Sequence, residues 1–263
     1  MKRAINLIFL AACSTNATPQ PEPVPVLPNC VPNRDGAITA DELPIALGAT
    51  ISYYAGTGRS LLQTGTDWDL SAELPDDAVV AVGPVALHDQ WYAASFPAGQ
   101  FVVDAGGSLD GIYHQDAQAL WLDGTASQQE MPAAGKTLIV YSPPIAVLRF
   151  PVTTGDAFTT TVTLVNATIN GLPFQGTDEL EVDVAGEGKL HLPYVSFSPV
   201  LRVRTHVTRK ASAGGVPSTG KRTTIWLFEC FGEIARAESK QDETNPDFAN
   251  AAYLRRFALG VTP

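Results

Sequence analysis

From Ala49 to the C-terminus, apolar and polar residues alternate mainly with a period of two. That period puts successive side chains on opposite faces of a strand, one face buried and the other wet. The clearest stretch is Phe158 to Ile169, followed by Asn170-Gly171 and a second run from Leu172 to Val184. Asn-Gly between two such runs predicts a β-hairpin, because both central residues of its turn need positive φ. In the second run Glu179, Glu181 and Asp183 share one face, and Leu180, Val182 and Val184 the other. Ala185-Gly186-Glu187-Gly188 reads as a turn into Lys189 to Pro193. Val200 to Lys210 alternates again, with Arg202, Arg204 and His206 on its polar side. A Gly- and Ser-rich loop over 211–220 then precedes a strongly apolar strand, Thr223 to Phe231, which Ile234 to Ala237 continues or flanks.

The first half is more broken. Its candidate strands are Thr50–Tyr54, Asp67–Ser71, Val79–Val82, Phe101–Val103, Ser108–Tyr113, Ala119–Leu122, Thr137–Tyr141 and Val147–Phe150. Asp104-Ala105-Gly106-Gly107, Asp123-Gly124 and Pro143-Pro144 separate several of them. One helix is marked near the end. Asn245 can cap it, Pro246 and Asp247 suit its first turn, and Arg255-Arg256 suit its last. The pattern therefore predicts an all-β domain over 49–263, an antiparallel sandwich or open half-barrel with a C-terminal helix.

Composition narrows the partners. The 263 residues are 45% hydrophobic and 17% charged, enough apolar content for a sizeable core. A formal charge of -10 lacks the basic footprint that nucleic acid demands, so no nucleic-acid partner is expected.

The N-terminus supplies an address. Lys2 and Arg3 precede a run, Ala4 to Ala12, that is apolar apart from Asn6 and ends in Leu10-Ala11-Ala12-Cys13. The run is far too short to cross a hydrocarbon core of ~30 Å. A cysteine directly after Leu-Ala-Ala resembles the lipobox of bacterial lipoproteins. The resemblance implies that residues 1–12 are a signal peptide, that Cys13 receives diacylglycerol on sulfur, and that its new amine is acylated (palmitate). Ser14 stands where Asp would mark inner-membrane retention, so the same resemblance implies the outer membrane or cell surface. Removing Lys2 and Arg3 leaves 15 − 27 = -12, so acyl chains rather than a basic patch must hold the membrane. From Cys13 to Pro32, prolines at 19, 21, 23, 25, 28 and 32 predict an extended linker between anchor and folded part.

With Cys13 assigned to lipid, Cys30 and Cys230 remain in a compartment that permits disulfides. A bridge between them is expected; the alternative is two separate thiols, with Cys230 buried among Trp226, Phe228 and Phe231. Residues 33–48 carry a second motif. Asn33, Asp35, the Ala37 carbonyl and Glu42 fall on positions 3, 5, 7 and 12 of a calcium loop, with Gly36 at position 6 and Ile38 at position 8. The segment resembles EF-hand or dockerin-type calcium loops of exported bacterial proteins. Position 1 is Val31, which has no side-chain oxygen, so the expectation is a turn of EF-hand shape with weak calcium affinity at most and no other cofactor.

Catalytic signatures are sparse. The four histidines, His88, His114, His191 and His206, form no HExxH, and no Cys/His spacing suits zinc. In Gly107-Ser108-Leu109-Asp110-Gly111 the serine is one position away from a nucleophile elbow. His114 and Asp116 could share a strand face and recruit a serine, and Glu179, Glu181 and Asp183 could serve glycoside chemistry. Trp68, Trp91, Trp121 and Trp226 could stack on sugars or fill the core. The combined expectation is a lipid-anchored envelope module, binding or structural and not an enzyme, whose protein, glycan or lipid partner is open. A carrier of lipid or another apolar ligand, and a carbohydrate-active enzyme, stand as alternatives.

Overall fold

The computed structural model describes residues 29–212 and 217–261. In chain order the strands are β1 (Ala37–Ile38), β2 (Ile51–Ser60), β3 (Leu62–Thr64), β4 (Asp67–Asp69), β5 (Ala78–Val82) and β6 (Val85–Ala86). They continue as β7 (Phe101–Gly106), β8 (Leu109–Gln115), β9 (Ala119–Ser127), β10 (Leu138–Arg149), β11 (Val152–Thr153) and β12 (Ala157–Ile169). The last five are β13 (Leu172–Leu192), β14 (Val195–Ala211), β15 (Thr219–Phe228), β16 (Gly232–Gln241) and β17 (Asn250–Phe257). Among the described residues no helix reaches seven residues, and the fold is all-β around one large antiparallel sheet that does not close.

The sheet runs β5-β2-β17-β16-β15-β14-β13-β12-β10-β9-β8-β7-β6, with β4 added in parallel to the end of β13 and β3 paired to β4. β1 pairs separately with β11. The two edges of the path, β5 and β6, are separated in the chain only by Gly83 and Pro84. The sheet must therefore curl until its edges lie beside each other. Gly83 fits this seam because a Cβ there would stand 2.0 Å from the Ala49 carbonyl oxygen.

Alternation supplies apolar residues to both faces. On β15, Ile225 and Leu227 join a cluster with Ile139, Leu180, Val182 and Val203, whereas Trp226 and Phe228 join Trp68, Leu190 and Leu254 on the opposite side. Buried Arg256 clamps the segment that crosses this second cluster. Its Nη1 donates to the Leu70 and Ala72 carbonyls at 2.7 and 2.6 Å, and its Nη2 pairs with Asp77. A third cluster, Tyr92, Phe96, Ile112 and Ala126, lies under residues 87–96.

The expected separators Asp104-Ala105-Gly106 and Asp123-Gly124 lie inside β7 and β9, where the ladders continue, and three further expectations about elements change. The predicted terminal helix is absent: Asn245 and Asp247 form a turn, with the Asp247 N–H donating to Asn245 Oδ1 at 3.0 Å, and 250–257 is strand β17. Ladders on both sides, to β16 and to β2, use the backbone groups a helix would have paired internally. The extended backbone also sends Arg255 to Glu233 and Arg256 to Asp77. The predicted turn at 185–188 is instead part of β13, which shifts register around Gly186 and Gly188. Pro143-Pro144 does not break β10; it lies where the pairing to β9 jumps from Val140 to Ile145, so no ladder hydrogen bond needs the missing N–H groups.

Candidate functional site

The predicted lipid attachment at Cys13, the signal peptide and nearly all of the proline linker lie outside the described residues. The site that can be built begins at Cys30. Cys30 and Cys230 form a disulfide with a Cα separation of 5.5 Å, within the usual span. Cys230 belongs to the turn joining β15 to β16, where its φ is 67°. Its N–H donates to the Glu42 carbonyl at 2.8 Å, and the carboxylate of buried Glu229 accepts the Arg34 N–H at 2.8 Å. Ile38 and Leu43 add their side chains to the first core cluster. Residues 30–43 are thus fixed to the body covalently, by hydrogen bonds and by burial.

The EF-hand-like segment keeps a tight turn, with Arg34 and Gly36 at φ of 62° and 82°. Its candidate ligands are already engaged with one another. Asn33 Oδ1 accepts the Asp35 N–H at 2.8 Å, and Asp35 Oδ1 accepts the Ala37 N–H at 2.9 Å. Glu42 Oε1 accepts from Asn33 Nδ2 at 2.7 Å, and its Oε2 accepts from the N–H and hydroxyl of Thr39, both at 2.9 Å. Glu42 therefore caps the short turn Ala40–Glu42 instead of presenting both oxygens to a cation. Val31 at the first position is 78% exposed. The donor set does not fit a strong calcium site, and among the described residues no group of three or more His, Cys, Asp or Glu gathers to hold a metal. Calorimetry is expected to give calcium affinity no tighter than the millimolar class of extracellular sites. Micromolar binding that disappears in Asp35→Ala contradicts this assignment.

A cleft of about 370 Å³ separates this segment from the turn between β8 and β9, lined by Thr39, Ala40, Asp41, Gln115, Asp116 and Ala117. Gln115 Nε2 spans its floor to the Ala40 and Leu43 carbonyls, at 3.0 and 3.2 Å. The neighbouring His114 pairs through Nδ1 with Asp123 on β9 at 2.8 Å and stacks on Trp121, rather than joining Asp116. Asp116 is held below the usual carboxylate range by the N–H groups of Ala119 and Gln118.

The other candidates are distributed over the sheet. Glu181 faces His206 at 2.9 Å, Asp183 pairs with Arg204, and Glu179 lies 3.9 Å from Lys210. Arg202 reaches Asp247 and covers the Trp68 ring instead. Trp68 and Trp226 are fully buried, and the Trp91 indole N–H donates to the Ser127 carbonyl at 2.9 Å. Sequence reading missed three ionic clusters: Asp77 with Arg59 and Arg256, Asp178 with Arg209 and the Tyr141 hydroxyl, and one around Glu233. Glu233 accepts from Arg236 and Arg255 at 2.7 Å each, and its backbone carbonyl accepts the Tyr53 hydroxyl at 2.6 Å. Burial pushes the Glu233 carboxyl up, but the two guanidinium groups outweigh it and hold the pKa at about 2. Tyr113 of β8 feels these same charges, and burial raises its hydroxyl.

Comparison of the chain with protein-family models, with curated proteins and with solved structures finds no match in any of the three.

Proposed function

We propose that the protein is a lipid-anchored module of the cell envelope that acts by binding or by structure and not by catalysis. The observation that carries this reading is the Cys30–Cys230 bridge, placed 30 − 13 = 17 residues after the lipobox cysteine. Such a bridge belongs to an oxidising compartment, and it transfers any pull on the linker directly to the turn between two strands of the main sheet. The use of polar groups also favours a module without catalysis. His114, His191 and His206 each face a carboxylate on a neighbouring strand, and the 179–183 row is matched by Lys210, His206 and Arg204. The 370 Å³ cleft is open and polar-lined, and a second of about 350 Å³ is open over Phe248, Ala249 and Ala251 with Lys240, Glu243 and Asn245 at its edge; neither is the enclosed apolar cavity that an apolar-ligand carrier uses.

The anchor is tested by Cys13→Ser. Cell fractionation with a carbonate wash is expected to find the variant in the soluble fraction and the unaltered protein in the membrane pellet. A variant that stays in the pellet removes the lipid-anchor reading.

A further inference from the structure

We infer that the disulfide end of the domain rests on the same lipid surface that holds Cys13, with Phe231 and Tyr194 as its contact residues. The inference rests on the lipid-anchor reading and adds an orientation and a contact surface to it. Register brings these side chains to one end of the sheet. Leu192 pairs with Val195 across the tip that holds Tyr194, Phe228 pairs with Gly232 across the tip that holds Phe231, and Leu201 pairs with Leu227 between them. Phe257 ends β17 at the same place, so Leu259 follows there, and Val31 adjoins the bridge.

These are large apolar or amphipathic groups left in water. Phe231 is 42% exposed, Leu259 52% and Tyr194 68%. Phe231 is backed by Phe197 and Phe257, with ring centroids at 5.6 and 6.3 Å, so its open part projects from a firm aromatic layer. Tyr194 occupies a left-handed position, φ 67°, in the turn of its hairpin, exposed beside buried Leu192 and Pro193, with its hydroxyl toward Glu73. Phe and Tyr side chains placed this way suit the boundary between headgroups and acyl chains.

The length of chain before the bridge selects the occupant. Seventeen residues from Cys13 to Cys30 span at most about 60 Å when fully stretched. Leu227, three residues before the bridged Cys230, is level with Glu187 of β13, which lies 16 residues, roughly 53 Å, from the opposite tip at Asn170-Gly171. A contact at the far tips needs the tether almost fully stretched, whereas Phe231, next to the bridged Cys230, stays within reach at every tether extension. The net negative charge makes a neutral lipid surface the fitting partner.

Amide hydrogen exchange tests the contact, comparing the lipidated protein in phosphatidylcholine vesicles with Cys13→Ser protein free in solution. Exchange at the 193–196 and 229–232 tips is expected to slow about tenfold on vesicles, the scale of burying one large apolar side chain, while the 170–172 tip is unchanged. Phe231→Ser combined with Tyr194→Ser is expected to abolish the slowing while leaving the protein vesicle-bound. Tyr194→Ser alone, which changes an exposed side chain and leaves buried Leu192 in place, is expected to lose part of it. Equal slowing at both ends, slowing that survives the double substitution, or none in the unaltered protein overturns the inference. Cosedimentation separates the two readings: bound protein with unprotected tips removes the contact alone, and lipidated protein that fails to sediment removes anchor and contact together.

Discussion

Loss of the Cys30–Cys230 bridge is expected to lower unfolding stability by as much as about 5 kcal/mol, the figure the chain-entropy model assigns to a loop of this length. The bridge spans 200 residues, so it restricts nearly the whole described chain in the unfolded state. In the folded state it also pins the arm whose Ile38 and Leu43 help to cover the first core cluster. Without it the arm keeps the burial of Ile38 and Leu43, the two-residue pairing of β1 with β11, the Glu42–Cys230 and Arg34–Glu229 hydrogen bonds and the turn around Gln115. The hydrogen bonds are individually worth about 1 kcal/mol, about what ordering each residue costs, so the two buried side chains, at about 1.5–3 kcal/mol each, are left as the arm's main hold. Urea unfolding of the Cys30→Ser, Cys230→Ser double variant, which leaves no unpaired thiol at either position, is the measurement. A midpoint equal to that of the bridged protein overturns the expectation. A steeper dependence on urea is expected as well, because the unbridged unfolded chain exposes more surface.

The same arm shows which parts of the fold could be read from sequence. Asn170-Gly171 was legible because its signal is local: two positive-φ residues between two runs of alternating polarity, found here at φ of 49° and 77°. The 179–183 carboxylates were legible as a wet face for the same reason. The terminal segment was misleading because capping residues and turn residues are chemically the same. Asn245 and Asp247 can start a helix or close a turn, and Arg255-Arg256 fit a helix end as well as the two faces of a strand. Only distant partners, Glu233 and Asp77, decide between them.

Glycine was ambiguous in the same way. Gly188 marked a turn in the sequence, yet a Cβ there would stand 2.0 Å from the Thr66 carbonyl oxygen, because β4 is laid against β13 at that point. The parallel addition of β4, the seam at Gly83-Pro84 and the Glu233 cluster all depend on how far-apart strands meet. Alternation specifies faces but carries no information about which strand lies next to which. Of the candidate site, the Cys30–Cys230 pairing was accessible because cysteine chemistry leaves few choices. The capping role of Glu42 was hidden beneath a ligand pattern that uses the same residues.

Trp226→Ala is expected to cost ~3–5 kcal/mol, the range for removing a large aromatic from a packed core. Trp226 is fully buried and meets Trp68 edge-on with centroids 6.4 Å apart. Its ladder neighbours are Arg202 on β14 and Ala235 on β16. Ala235 is too small to refill the space, and a rigid sheet on either side limits collapse, which places the cost toward the upper part of the range. The indole N–H has no hydrogen-bond partner among the described residues, so the substitution leaves no acceptor stranded and the loss is one of packing. That distinction yields a contrast. Trp226→Phe keeps most of the ring volume and removes the unpaired N–H, so its cost is expected to be well below that of Trp226→Ala. Chemical denaturation of both variants decides the matter. If Trp226→Ala unfolds at the same midpoint as the unaltered protein while binding to a glycan or lipid is lost, Trp226 belongs to a ligand site and the packing assignment fails. If Trp226→Phe is as damaging as Trp226→Ala, the N–H is important after all, and the side chain is held by polarity rather than by volume.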